Sequence, residues 1–250
     1  MSVGLVLSGG GIRGVAHIGV IKALEENGIY PTHISGTSAG AIVGALYAGG
    51  VKWKEILDFF KVIPIFHTNK FARRKPGFLD TEKFYDEFKK FFPHDSFESL
   101  PKKLFITATD IIKGELKIFD EGELIKPVLA SATFPGVFSP IDIDGSFYVD
   151  GGVLNNFPIE PLIPSCDKII GSYVNALKDI KIKDLKHSYN VLDRAYKIKS
   201  ASDSLAISPE ALCEFATFDM RYIDAIFEIG YNSTIQVLAE RDKITKALNN

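Results

Sequence analysis

Cysteine is scarce in this chain of 250 residues: only Cys166 and Cys213, in unrelated segments, with neither Cys-x-x-Cys spacing nor a nearby histidine pair. That argues against a disulfide framework or a thiolate metal centre, so no metal and no cofactor are expected, and a reducing compartment fits. Long apolar runs are missing too. None approaches the roughly 20 residues that span a bilayer, and Ser2 to Leu7 run straight into glycines without the basic and then apolar pattern of a secretory leader. The expected setting is therefore cytoplasmic. Charge of one sign is also lacking: 29 basic against 31 acidic residues leave a formal net charge of −2. No global field recruits nucleic acid, and any contact with a membrane must be local. Repeats, low-complexity tracts and linkers are absent as well, so one domain over 1–250 is expected.

The order of elements comes from periodicity. Val3 to Leu7 is a short buried-strand pattern, Ser8 to Gly11 a turn, and Val15, Ile18, Ile21, Ala23 and Leu24 one helical face that Gly28 stops. A second strand around Thr32 to Ile34 leads into a small-residue helix, Ala41 to Tyr47. Strand, helix, strand, helix in this order imply an α/β fold with a mainly parallel sheet. Further strands are expected at Leu104 to Thr109, Leu116 to Phe119 and Ile169 to Val174. Ile141 to Ile143 and Phe147 to Val149 flank Asp144-Gly145-Ser146 as a hairpin. From Tyr189 the pattern is helical, with a core stripe at Ile223, Ile226, Phe227, Gly230, Thr234, Val237 and Leu238.

Two segments suggest chemistry. Ser35-Gly36-Thr37-Ser38-Ala39-Gly40 sets a serine between Gly36 and Gly40 at a strand-to-helix turn, the pattern of a nucleophile elbow. Such a turn strains the serine backbone and lifts its hydroxyl clear of the sheet. Upstream, Gly9-Gly10-Gly11-Ile12-Arg13-Gly14 lies between the first strand and first helix, where bare amides and the helix dipole favour an oxyanion. Arg13 adds a positive charge. The same run matches a dinucleotide fingerprint, but the second strand ends in the serine elbow rather than in the acidic residue a ribose requires, so no nucleotide is expected.

A serine needs a base. Of five histidines, His187 follows the best acidic candidate but sits in a charged surface stretch, and His17 lies on the first helix, placed for local bonding. A carboxylate is then the base, and Asp150 in Tyr148-Val149-Asp150-Gly151-Gly152 is the candidate. Alone it reads more readily as an Asp-Gly turn acid. An ordinary aspartate, near pKa 4, accepts a serine proton only when burial raises it or the oxyanion is strongly stabilised.

Taken in order, Gly9 to Gly14, then Gly36-Thr37-Ser38-Ala39-Gly40, then Asp150-Gly151-Gly152 resemble the three signature blocks of patatin-like phospholipases. Ala130 to Pro135 and Asn155-Asn156-Phe157-Pro158 are similar to the family around the third block. The resemblance implies a three-layer α/β/α fold and lipid acyl-ester hydrolysis through a dyad. Ser38 is then the nucleophile, Asp150 the proton acceptor, and Gly9, Gly10, Gly11, Arg13 and Gly14 the oxyanion site. A phospholipid or other acyl ester is the implied substrate. A non-lipid carboxylesterase or thioesterase, or a lipid-binding protein without catalysis, is the alternative. Residues 59–78 contain no acidic side chain but interleave Lys61, Lys70, Arg73, Arg74 and Lys75 with Phe59, Phe60, Ile63, Ile65, Phe66, Phe71 and Phe78. They read either as a lid or peripheral membrane contact, or as a flap over a satellite core.

Overall fold

A computed structural model describes residues 1–62, 84–175, 207–217 and 219–248. Seven strands form one sheet: β1 (Val3–Leu7), β2 (His33–Thr37), β3 (Lys103–Asp110), β4 (Glu115–Phe119), β5 (Ile141–Ile143), β6 (Ser146–Asp150) and β7 (Lys168–Ser172). β7, β1, β2 and β3 are parallel neighbours in that order, while β4 and β6 pair antiparallel with β3, and β5 with β6. Antiparallel strands thus flank β3 on both edges, β4 on one and the β5–β6 hairpin on the other. At the hairpin tip, Asp144 and Gly145 both have positive φ, 51° and 81°, the turn that their Asp-Gly sequence favours.

The described helices are α1 (Val15–Glu26), α2 (Ala39–Ala48), α3 (Trp53–Val62), α4 (Tyr85–Lys89), α5 (Ile125–Ser131) and α6 (Ile223–Leu248). β1 is buried along its whole length and alternates between two cores. Leu5 and Leu7 face the large core shared with α1 and α2, and Val6 faces a smaller one with Phe157, Leu162 and Tyr173. Apolar residues on both faces are what a strand covered on both sides requires.

Helix α6 lies against α1 through reciprocal glycines. A Cβ at Gly230 would stand 2.0 Å from the Ala16 carbonyl oxygen, and one at Gly19 2.2 Å from that of Phe227. Ile223, Ile226, Phe227 and Thr234 are buried as the stripe predicts, but Val237 is 44% exposed and does not belong to the core face. Residues 207–217 and 219–222 also depart from the expected helix: Ile207 bridges to Ser172, and short 3-10 turns occupy Glu210–Glu214 and Met220–Tyr222. Pro209 and the Asp219 side chain, which accepts from the Arg221 amide, account for the interruption.

Of the basic-aromatic segment, Phe59, Phe60, Lys61 and Val62 are described. Phe59 and Phe60 end α3 inside the core, with Phe59 edge-on to Phe60, Phe88 and Phe91. Neither ring is available to a lipid surface. Lys61 pairs with Asp224 of α6 at 2.5 Å. The remainder of that segment, and His187, lie outside the described residues. Among the described residues no helix is long and apolar enough to cross a membrane.

Candidate active site

Sheet register brings Ser38 and Asp150 together. Strand β2 runs parallel to β3 and stops at Thr37, opposite Thr107. Because Ile106 and Thr107 pair with β2 and β4 at once, these two strands occupy opposite edges of β3. Strand β6 takes over the edge that β2 vacates, arriving from the other direction with Asp150 opposite Ala108. The residue after Thr37 and the last residue of β6 therefore converge on one position. The gap is narrow: a Cβ on Gly151 would meet the Thr107 carbonyl oxygen at 2.4 Å, and the Thr37 and Thr107 hydroxyls bond at 2.5 Å.

Ser38 has φ 55° and ψ −121°, a conformation that a side-chain-bearing residue holds only when its surroundings impose it. Three features impose it. The Ser38 carbonyl accepts from the Ala41 and Ile42 amides at 2.9 and 3.2 Å, and its own amide donates to the Ser131 hydroxyl at 2.8 Å. The elbow also packs too tightly for side chains at its glycines. A Cβ on Gly36 would stand 2.5 Å from the Gly40 carbonyl oxygen, and one on Gly40 2.2 Å from that of Leu7. A Cβ on Gly14 would likewise stand 2.5 Å from that of Ala39.

Asp150 is 3% exposed. Its carboxylate accepts from the Gly152 amide at 2.8 Å, and the Ser38 hydroxyl across the cleft also favours its charged form. Burial disfavours the charge by more than these two groups favour it, so the acid is pushed up to about 6. Its peptide is held on both sides, the amide by the Thr133 carbonyl at 2.9 Å and the carbonyl by the Thr109 hydroxyl at 3.1 Å.

The glycine loop forms the third wall. Gly9, Gly10, Gly11, Arg13, Ser38, Phe134, Asp150, Asn156, Asn175 and Thr217 line one small cleft of about 40 Å³. The loop's amides are not equivalent. Gly9 N–H donates to the Asn156 carbonyl at 3.3 Å, Ile12 N–H to that of Thr217 at 2.8 Å, and Arg13 N–H to that of Gly10 at 3.3 Å. The amides of Gly10 and Gly11 have no acceptor among the described residues. Gly11 takes φ +59°, and the Thr217 backbone leaves no room for a Cβ there.

Arg13 is buried, and its guanidinium donates to the Phe215 carbonyl at 3.0 Å, the Thr217 hydroxyl at 3.2 Å and Asn175 Oδ1 at 2.9 Å. His17 is not beside the serine. Its Nε2 meets the Ser8 carbonyl at 2.8 Å and must donate there, which leaves Nδ1 to accept from the Ser172 hydroxyl at 2.7 Å. Burial pushes its pKa down to about 4, so the ring is neutral at ordinary pH. Neither His33 nor His94, the other described histidines, lines the cleft.

Sequence reasoning assigned no role to Ser131, Asn156, Asn175 or Thr217. Ser131 and Asn156 stand in stretches already quoted for the resemblance, which was the available signal. Asn175 and Thr217 carry no local signature, since only folding returns them to the loop.

Against this geometry, the family model of patatin-like phospholipases matches residues 5–163, which contain Ser38 and Asp150. An uncharacterized NTE family protein of Mycobacterium tuberculosis is 35% identical over 165 residues, covering 64% of this chain and 45% of that one. The lysophospholipase NTE1 of Meyerozyma guilliermondii is 34% identical over 175 residues, 64% of this chain and 12% of its own. The chain thus spans less than half the length of these relatives. Among solved structures, VipD of Legionella pneumophila superposes with a TM-score of 0.59 at 18% identity, over 96% of this chain and 67% of that one. The type III effector protein ExoU gives 0.53 at 17% identity, over 96% and 53%. At such identities the likeness concerns the fold.

Proposed function

Since the chain belongs to the patatin-like phospholipase family, we propose that it is a lipid acyl hydrolase of phospholipase A or lysophospholipase type, acting through Ser38 and Asp150. The observation that carries this reading is that one cleft holds Ser38 on its strained elbow together with a buried carboxylate whose pKa is raised to about 6. A base of that strength is ionised at neutral pH yet far closer to a serine's needs than a solvated aspartate. The lysophospholipase name of a relative supports the same substrate class.

In the proposed reaction Ser38 Oγ attacks the ester carbonyl while its proton moves to Asp150. The carbonyl oxygen becomes an oxyanion beside the Gly10 and Gly11 amides, where one well-placed donor is worth roughly 3–4 kcal/mol. Collapse expels the alcohol, which takes the proton from Asp150 and leaves an acyl-Ser38 ester. Asp150 then takes a proton from water, the hydroxide attacks the acyl carbonyl, and the acid leaves as Ser38 recovers its proton. The neutral imidazole of His17, occupied by Ser8 and Ser172, takes no part in this scheme.

One observation favours a second reading, a hydrolase of short esters: the described cleft is small, about 40 Å³. A fluorophosphonate probe with peptide mapping, followed by an ester series from short monomeric to long micellar acyl chains, tests both. Labelling of Ser38 with a rate that climbs on micellar long-chain esters is expected. An unlabelled Ser38 sinks the enzyme reading, and a rate that falls steadily with chain length transfers the assignment to short esters.

A further inference from the structure

Sequence reasoning gave Arg13 the part of a positive charge near the oxyanion. Arg13 does line the cleft, but its guanidinium is engaged by protein oxygens. Both described ends of its fork are occupied by oxygens of Phe215, Thr217 and Asn175, and the side chain is 2% exposed. Asn175 turns this into a directed link. Arg13 can only donate, so the carboxamide oxygen of Asn175 must face it, at 2.9 Å. The carboxamide nitrogen then faces the other way and donates to the Gly9 carbonyl. Asn156 donates to that same carbonyl from a second direction, at 3.4 Å.

A carbonyl and the amide that follows it point to opposite sides of a trans peptide. Holding the Gly9 oxygen against two asparagines therefore turns the Gly10 N–H away from them, and that amide has no acceptor among the described residues. The joint between two glycines is where the backbone rotates most easily. Were the peptide to turn over, the Gly9 oxygen would replace the Gly10 N–H as the group the substrate meets. Partial negative charge would then oppose the developing oxyanion.

We propose that Asn175, aligned by Arg13, is a positioning residue that fixes the Gly9–Gly10 peptide so that the Gly10 amide serves the substrate oxygen, and that Arg13 acts through Asn175 rather than through its charge. This rests on the hydrolase reading above. Two further observations agree with it. A Cβ at Gly9 would lie 2.3 Å from Asn156 Oδ1, and one at Gly10 2.4 Å from the Val174 side chain, so the peptide is closely walled on the side of the asparagines. Asn175 and the Phe215–Thr217 stretch also lie beyond the matched family region, so this chain completes its loop with residues the shared motif does not supply.

Asn175→Asp tests the idea because it keeps the acceptor for Arg13 and reverses the group offered to Gly9. With a soluble ester, kcat is expected to fall about 100-fold, the scale of one lost oxyanion donor. KM should change by less than about twofold, the melting temperature should hold because the carboxylate still accepts from Arg13, and fluorophosphonate labelling of Ser38 should slow in parallel. Arg13→Lys, which keeps the charge, is expected to lower kcat alone but to add little in the double variant, since both changes break one link. Wild-type labelling and turnover establish the hydrolase independently. Given those, an unchanged kcat in Asn175→Asp, a loss confined to KM, or losses that multiply in the double variant overturn the proposal. Asn175→Ala, which removes the donor without adding charge, decides the matter by the same readouts if the aspartate variant does not fold.

Discussion

Asp150→Asn is expected to destroy turnover and raise stability together. The carboxyl is buried, and its pKa is raised from 3.8 to about 6 by desolvation, against the pull of the Ser38 hydroxyl and the Gly152 amide. Ionising it in the folded protein thus costs about 3 kcal/mol more than in the unfolded chain. The sign follows from the raised value: the protein is unburdened below pH 3.8 and loses this stability as pH climbs through about 6. Asparagine keeps an acceptor for the Gly152 amide and can donate to Ser38, with no charge to bury. At pH 7 to 8 the variant should exceed the wild type by about 3 kcal/mol, or roughly 6–12 °C in melting temperature for a chain of this length. The advantage should vanish near pH 4.

His17 acts in the opposite sense over nearly the same range. Its pKa is lowered from 6.5 to about 4, so the stability it confers is present above 6.5 and lost as pH falls through 4. The two groups offset each other in the wild type, and only the difference between variant and wild type isolates Asp150. Urea unfolding of both proteins from pH 4 to 8, with ester hydrolysis measured alongside, provides that difference. An Asp150→Asn protein that is inactive but whose stability relative to the wild type is no greater at pH 8 than at pH 4 would refute the claim that burial raises this acid.

Other expectations can be checked with the same assays. The acid limb of wild-type kcat/KM should fit one ionisation near pH 6, the value of the Asp150 carboxyl; a limb near 4 would show an unperturbed base. Ser131→Ala removes the acceptor of the Ser38 amide and should lower kcat about tenfold, the worth of one hydrogen bond that steadies a strained residue. Equal kcat would mean that the elbow holds its shape without Ser131. Gly230→Ala drives a methyl into the Ala16 carbonyl oxygen, 2.0 Å away, and should cost about 1–3 kcal/mol in unfolding experiments while leaving kcat intact at permissive temperature. An unshifted melting curve would deny that α1 and α6 meet this closely.

Much of this molecule was legible because its requirements are local. A serine at φ 55° needs small residues two places either side, so Gly36 and Gly40 declare the elbow without any knowledge of the sheet. Asp144-Gly145 declares a hairpin for a similar reason, and the apolar spacing of Val15 to Leu24 or Ile223 to Thr234 declares a helix face. Convergence was not local. Ser38 meets Asp150 because β2 stops opposite Thr107 and β6 enters the vacated edge of β3 from the opposite direction, a matter of register between strands far apart in the chain. Burial, which sets the Asp150 pKa, and the inward turn of Phe59 and Phe60, which removes them from any lipid-facing surface, depend equally on distant neighbours. Arg13 shows the division most sharply: the chain announces a cation beside a glycine loop, but whether that cation faces substrate or binds Asn175, Phe215 and Thr217 is settled only when residues about 160 to 200 positions later fold back against it.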